Sequence, residues 1–501
     1  MQRTFRRILS PGICLLSLGV FACSDEETST GTGGSAGSAS NAGSAGSAGA
    51  AGNAGSSGSG GSAGTAASDP LPTEGTPTVS WNYTGIIGTG QSLSVGAQAG
   101  SITPAATTQR YSNLKLSLGG LTVPPFDEAA SASTQLSLVP LVEPIRPIDN
   151  GYPSPYPVNL DGESPHTAMS VQLTALATIM GGQSEFVSVH TVVGESGQGM
   201  NVINKTAMDT GTTGRAYAAT LFEARAIKRL AEADSKTYGI GAIFLTHGET
   251  DAGNQNYAND MLQLRNDYNA DLKAITGQTQ AIPLFTSQQH GIYMYAPGQA
   301  ARNIDTSTLL QWTAALDHPE EIVCVGPKYQ YPYNADWLHL QPLGYELMGE
   351  KYAEAFYQHV LLGRPWQPLQ PLRDTVARSG RDITVDFHVP VPPLAWDDVM
   401  PKPHLADLTE WAQGRGFEVR MGTTRLTIES VTLVDADTVK ITCTTDVPAG
   451  ATLGYAASSD AAAIPLVSPR FGNLKDSDPF VGAFTNQAQP NYSVSFEVPV
   501  P

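Results

Sequence analysis

The chain has 501 residues, enough for two or three domains. Its formal net charge is −18 at pH 7, which argues against a nucleic-acid partner, because such proteins present basic patches. The acidity does not name a substrate, since a large negative charge also serves solubility alone.

The chain begins with Arg3, Arg6 and Arg7, followed by a mostly apolar run from Ile8 to Phe21. This pattern predicts a secretory signal over residues 1–22. The run is too short for a comfortable membrane span. It ends in Val20-Phe21-Ala22-Cys23, which resembles a bacterial lipoprotein cleavage box. The resemblance implies that Cys23 is lipidated and becomes the mature N-terminus, although Phe21 departs from the small residue usual there. The alternative is a plain secretory signal with an incidental cysteine. Residues 23–77 are mostly Gly, Ser and Ala and end in a proline-bearing stretch. Too little apolar surface is available there to offset ordering entropy, so a flexible tether is expected. These features together place the protein at the cell envelope or cell surface, held by a lipid anchor (outer membrane), or secreted.

From about residue 80 to 362 strands alternate with helices. Thr84–Thr89 is the first expected strand, and it runs into Gly90-Gln91-Ser92-Leu93-Ser94. Residues 97–160 are rich in proline, glycine and serine and are read as long loops. Ser164-Pro165 predicts an N-cap with proline at the first helical position, and Gly181-Gly182 would stop that helix. Phe186–Val193 is a β-rich run ending at Glu195-Ser196-Gly197-Gln198. Residues 214–234 have helical spacing. Ile240–Leu245 is continuously apolar, as in a strand covered on both faces, and ends at His247-Gly248-Glu249-Thr250-Asp251. A helix is expected from Tyr257 to Leu272, strands at Ile282–Phe285 and Ile322–Val325, and a closing helix through Leu343, Leu347, Tyr352 and Phe356. This alternation predicts a parallel sheet with helices on both faces.

The proline-rich stretch 363–384 is expected as a linker. Residues 385–501 read as short strands around Phe417–Met421, Leu426–Val434, Thr438–Thr444, Ala451–Ala456 and Tyr492–Val498, with Asp435-Ala436-Asp437 as a hairpin turn. That pattern suggests a small β-sandwich serving as an accessory or stability module. Cys324 and Cys443 lie in apolar strand-like runs of different predicted domains, so two buried thiols are favoured over a disulfide. No zinc-type cysteine spacing occurs.

Four turns at predicted strand ends carry the chemistry: Gly90-Gln91-Ser92, Ser196-Gly197-Gln198, His247-Gly248-Glu249 and Asp336-Trp337-Leu338-His339. A doubly wound fold brings such turns to one sheet edge. Acyl transfer needs a serine nucleophile, a histidine base, an orienting acid and N–H donors for the oxyanion. An Asp and a His three residues apart on one turn can form the acid–base pair.

At these four blocks the sequence resembles the SGNH (GDSL-like) hydrolase superfamily, and within it the sialate O-acetylesterase-like carbohydrate esterases. Leu340 to Gly344, running into a helix, belongs to the last block. The resemblance covers roughly residues 80–360. The tail block Gly472-Asn473-Leu474-Lys475-Asp476-Ser477 also looks like tails found on such esterases. The likeness implies a flavodoxin-like three-layer α/β/α domain over 78–362, followed by the small β-sandwich over 385–501. It implies Ser92 as nucleophile, His339 as general base and acid, and Asp336 as the orienting carboxylate, with no cofactor and no metal. The oxyanion hole would be lined by the N–H groups of Ser92 and Gly197. Its third donor in the family is an Asn or Gln side chain, whereas this chain has His247, whose imidazole donates only in one tautomer. Leu93 also departs, since an amide side chain is common there. Gln91, Gln198, Glu249 and Trp337 are expected at the substrate.

Other readings stay open at this level. The serine turn can be an ordinary strand-to-loop connection, and His339 a helix-entry residue satisfied by backbone. Glu249 and Asp251 could bind a metal, but no further ligands show the needed spacing. Glu195 and Glu249 could form a glycosidase acid pair. His166, His190 and His290 read as structural or lining residues. The aromatics at 329–337 could stack on a sugar or pack under their loop. The expectation is a secreted serine esterase that removes acyl groups, mostly acetyl, from an acylated carbohydrate, with a membrane contact through its lipid anchor. The competing class is a non-catalytic carbohydrate- or surface-binding protein on the same fold. A lipid esterase is disfavoured because no long apolar lid is present.

Overall fold

Strand β1, Tyr83–Gly90, forms where Thr84, Ile86, Ile87 and Thr89 favour extended backbone, and every residue from Thr84 to Gly90 is buried. In the computed structural model, residues 75–119, 134–145, 162–209, 216–289, 306–336, 338–400, 403, 408–457 and 472–501 are described. The expected signal, Cys23 and nearly all of the tether lie outside these residues.

A seven-stranded sheet surrounds β1, with β2 (Leu114–Ser117), β3 (Ser137–Pro140), β4 (Ser188–Gly194), β5 (Tyr238–Thr246), β6 (Leu284–Gln288) and β7 (Ile322–Pro327). The spatial order is β3-β2-β4-β1-β5-β6-β7. β1 is parallel to β4 and β5, β5 to β6, and β6 to β7. Counting only β1 and β4 to β7 in chain order, the arrangement is 2-1-3-4-5, the flavodoxin-like order. β2 runs parallel to β4, and β3 closes the edge antiparallel to β2. This edge hairpin corrects the expectation of unbroken loops over 97–160. Each strand has four residues, too short to show a period. It is braced by Lys115 Nζ, which donates to the carbonyls of Val142 (2.7 Å) and Pro144 (2.6 Å).

Among the described residues there are seven α-helices: α1 (Pro165–Thr174), α2 (Met200–Ile203), α3 (Lys205–Asp209), α4 (Ala216–Ala233), α5 (Tyr257–Thr276), α6 (Thr306–Asp317) and α7 (Pro342–Phe356). Successive strand side chains point to opposite faces, and that alternation sorts the helices into two layers. Ile87, Ile243 and Leu245 pack with α4 and α5, while Ile86, Ala242 and Phe244 pack with α1 and α7. The result is three layers, α/β/α. Ser164 caps α1 by accepting from the His166 N–H at 3.3 Å. Helix α6 has no counterpart in the sequence reading. Its buried face mixes Ser307, Thr308 and Gln311 with Trp312 and Ala314, so the apolar period is broken by side chains that hydrogen-bond instead.

The C-terminal region holds two main antiparallel sheets. In one, Asp382–His388 pairs with Thr438–Cys443, which pairs with Ile428–Leu433 across the Asp435–Asp437 turn. In the other, Phe417–Met421 lies between Thr424–Leu426 and Thr452–Tyr455, with Phe496–Pro499 beyond. Ile383, Val385 and Ile441 of the first sheet share one apolar core with Phe417, Leu453 and Phe496 of the second. The stretch 363–384 is more than a linker. Gln370–Pro371 and Ala377–Ser379 both pair with Asp382–His388. Cys324 and Cys443 are free and buried.

This β region belongs to the same compact unit as the α/β part, from Ala67 to Pro501. Trp312, Cys324 and Tyr329 reach into its core. Gln288 exchanges two hydrogen bonds with the Ser495 backbone, at 2.8 and 2.7 Å. Residues 480–491 fold back over α1 and α7. There Glu350 of α7 accepts from the N–H groups of Phe484 (2.7 Å) and Thr485 (2.8 Å) and from Thr485 Oγ1 (2.7 Å).

A second polar tie joins the start of α1 to α7. Thr103 donates its N–H to Glu163 Oε2 at 2.8 Å, and its hydroxyl donates to Glu346 Oε1 at 2.8 Å. Burial, and then the neighbouring Glu346 carboxylate, push the Glu163 carboxyl up to about 9. A raised folded-state pKa means that the native state holds the proton more tightly than the unfolded chain. The stabilisation is complete below the ordinary glutamate value and is lost as pH rises through about 9. Thermal melts at pH 5 and pH 9 should therefore show a smaller loss of Tm for Glu163→Gln than for the wild type. Equal losses would refute the protonated Glu163.

Candidate active site

The site forms where β1, β4 and β5 end side by side. Gly90 pairs with Gly194 on one flank and with Thr246 on the other. Its φ is +134°, and a Cβ there would lie 2.1 Å from the Thr246 carbonyl oxygen, so only glycine fits. The Gln91 N–H donates to the Thr246 carbonyl (3.1 Å), and the Glu195 N–H to the Gly90 carbonyl (2.9 Å). Three predicted turns are thereby sewn together at the carboxyl edge of the sheet, the usual place for a ligand in this topology.

Ser92 opens a short 3-10 turn, Ser92–Val95, directly after β1. Its Oγ is 3.0 Å from His339 Nε2, and His339 Nδ1 is 2.6 Å from Asp336 Oδ2. A carboxylate only accepts, so Nδ1 carries the proton and Nε2 presents its lone pair to the Ser92 hydroxyl. Asp336 Oδ1 also takes the N–H groups of Leu338 and His339, both at 3.0 Å. Partial burial raises this carboxyl, but those hydrogen bonds and the adjacent imidazole outweigh it and hold it below the usual aspartate value. The carboxylate therefore stays ionised at neutral pH. Serine and histidine are both 6% exposed, so their contact is shielded from bulk water.

His247 is arranged differently from the expectation. Its ring is buried, with Nε2 2.9 Å from the Gln198 carbonyl and Nδ1 2.9 Å from the Tyr257 hydroxyl. Nε2–H must donate to the carbonyl, and Nδ1 then accepts from the phenol. Burial holds the ring's pKa below the ordinary value against the pull of Gln198, Asp251 and Glu249. The neutral imidazole has no N–H left for substrate. The oxyanion role expected of its side chain is corrected to that of a brace between the second and third turns. Gly197 stands in an exposed turn at φ +70°. The Ser92 N–H lies in a first helical turn, where such groups have no intrahelical acceptor.

Two expected substrate contacts face protein partners. The buried Gln91 takes the Thr250 N–H on its amide oxygen at 3.4 Å. Glu249 is paired with Lys328 at 2.5 Å, both side chains nearly inaccessible. Burial raises the Glu249 carboxyl, but the Lys328 ammonium overrides this and holds it below the ordinary value. Gln198 is half-buried, and Trp337 and His290 lie outside the described residues. Glu195 accepts the Ala216 N–H at 2.9 Å and so caps α4, which leaves no free Glu195–Glu249 acid pair. Asp251 accepts the Met200 N–H at 2.7 Å. Among the described residues, no cluster of three potential metal ligands occurs.

Lys328 is a buried partner of Glu249 that sequence reasoning missed, since a lone lysine after a strand carries no signal. His166 and His190 form a buried pair, Nδ1 to Nδ1 at 2.9 Å, and His190 Nε2 continues to Ser188 Oγ at 2.9 Å. Burial keeps both rings low in pKa, with His190 lowered further by His166. They are neutral interior groups.

No family model matches the chain, and no curated protein matches it. Among solved structures, it is similar to a carbohydrate acetylesterase from Xanthomonas citri, at 11% identity and TM-score 0.48, covering 83% of this chain and 80% of the other. A protein from Arabidopsis thaliana is similar at 16% identity and TM-score 0.38, over 56% of this chain and all of the other. NanS is similar at 10% identity and TM-score 0.33, over 56% of this chain and 98% of the other.

Removing one member of a buried ion pair leaves an uncompensated charge, at a cost of about 3–5 kcal/mol. Denaturant unfolding of Lys328→Met should show a loss of that order. The double variant Lys328→Met/Glu249→Gln should recover most of it, and a double variant no more stable than Lys328→Met would refute the coupling.

Proposed function

We propose that the protein is a serine esterase that removes acyl groups, acetyl foremost, from carbohydrate. The observation that supports this reading is the chain of contacts from Asp336 through His339 to Ser92, at 2.6 and 3.0 Å, on the carboxyl edge of the parallel sheet. Ser92 Oγ attacks the ester carbonyl as His339 Nε2 takes its proton. The Asp336 carboxylate stabilises the imidazolium and fixes its tautomer. His339 then returns the proton to the departing sugar oxygen, and the acyl group remains on Ser92. Water, deprotonated by the same histidine, releases the acid and regenerates the serine. The Ser92 and Gly197 N–H groups are assigned to the oxyanion, with no side-chain donor from His247. An acylated carbohydrate as substrate follows from the sequence resemblance of the four blocks. Cys23 is proposed as the lipid anchor, with residues 23–77 as the tether expected from the sequence; a Cys23→Ser chain that still partitions with membranes would refute it.

The test is hydrolysis of an aryl acetate and of acetylated xylan. Ser92→Ala should lose about 10⁴-fold or more in kcat, and Asp336→Asn about 10⁴-fold, by analogy with other serine triads. Activity that survives in Ser92→Ala would refute the nucleophile. A wild-type chain inactive on both esters that still binds the sugar would instead make this a binding protein.

A further inference from the structure

At the other end of the sheet, a cavity of about 270 Å³ opens between the starts of β1, β5, β6 and β7. Thr84, Gly241, Pro283 and Glu320 line it from these strand beginnings, with Trp81 and His359 as its ring-bearing walls. β1 rises about 3.3 Å per residue, so the six steps from Thr84 to Gly90 put roughly 20 Å between this cavity and the serine edge. It is a separate place with its own chemistry.

Its polar groups are mixed in sign and role. Thr84 contributes to the wall, but its hydroxyl oxygen is sealed from solvent, so the polar contacts come from the other lining residues. His359 Nδ1 accepts the Trp366 N–H at 3.3 Å. Burial lowers its pKa, although Glu320 pulls the other way. The neutral ring therefore keeps its proton on Nε2, as a donor. Glu320 supplies an exposed carboxylate acceptor, and Gln280 an amide that can serve both ways. Trp81 supplies a flat apolar wall. Its ring is seated against Gly239, where a Cβ would fall 2.1 Å from Cε2.

We propose that this cavity binds one neutral sugar ring of a carbohydrate chain, apart from the Ser92 site. The volume lies just below the about 300–1,000 Å³ of drug-sized pockets, which fits one ring or a little more. The Glu320 carboxylate repels an anionic ligand. The His359 donor has no use for a cation, which accepts no hydrogen bonds. A polyhydroxylated ring both donates and accepts, and its apolar face fits an indole. The inference does not depend on the esterase reading, because it concerns residues outside the Ser92 edge.

The test is calorimetric titration of the full chain with methyl β-glucopyranoside and methyl β-xylopyranoside, and with glucuronate and choline as charged probes. The neutral glycosides should bind and the charged probes should not. Trp81→Ala and Glu320→Ala should each weaken binding by about tenfold or more, as loss of an anchor side chain does, while Trp81→Phe retains most of it and Ser92→Ala all of it. Glu320 is exposed, so its variant folds even if Trp81→Ala does not. The proposal is overturned if neither glycoside binds, if choline binds in their place, or if glycoside binding is untouched by Glu320→Ala.

Discussion

The close approach of three strand ends at Gly90 is the constraint on which the site depends. β1 is flanked by Gly194 and Thr246, and a side chain at position 90 would collide with the Thr246 carbonyl. Because Gly90 lets the backbone pass, the Gln91 N–H reaches Thr246 and the Glu195 N–H reaches Gly90. Ser92 is then delivered at the junction of β1 and β5, where the crossovers leave in opposite directions and a cleft must open. A larger residue at 90 would move all three turns together, not one.

Around that junction, burial decides which groups are charged. Asp336 and Glu249 keep their charges because each has a specific partner: the His339 ring and two N–H groups for one, Lys328 for the other. His166, His190 and His247 are neutral because burial lowers their pKa, for His247 against the pull of the Asp251 and Glu249 carboxylates. The serine thus meets one imidazole with a fixed tautomer and an ionised carboxylate behind it, while the interior histidines offer no competing proton.

The parts of this arrangement that are local in sequence were legible in it. β1, β4, β5 and the long helices α4 and α5 show strong periods or unbroken apolar runs, and Asp336 and His339 are only three residues apart. Ser92 was legible as a serine after a glycine turn, though its partner lies 247 positions away. What escaped is what tertiary contact alone creates. The edge strands β2 and β3 are too short to show a pattern, and α6 hides its period by burying Gln311 and Thr308 in hydrogen bonds to other elements. The tautomer of His247 depends on a carbonyl 49 residues away, and the roles of Lys328 and Glu249 exist only as a pair across 79. The expected linker over 363–384 failed for the same reason: its prolines are real, but its backbone finds ladder partners in Asp382–His388, a strand that begins within it.

The C-terminal β region bears on the site through the segment that carries the acid–base pair. Residues 328–341 lie between β7 and α7, and both ends of that segment are held. At its start, Lys328 is fixed by Glu249, and the Tyr329 hydroxyl donates to the Ser493 carbonyl at 2.5 Å. Beyond its end, α7 is gripped at Glu350 by the backbone of Phe484 and Thr485. Two of these three restraints come from residues 484–493, so the strands of the C-terminal region are not a detachable appendage. A hydrogen bond of 3.0 Å between His339 and Ser92 tolerates little drift. The polar grip on α7 and on Tyr329 limits that drift from the far side of the fold.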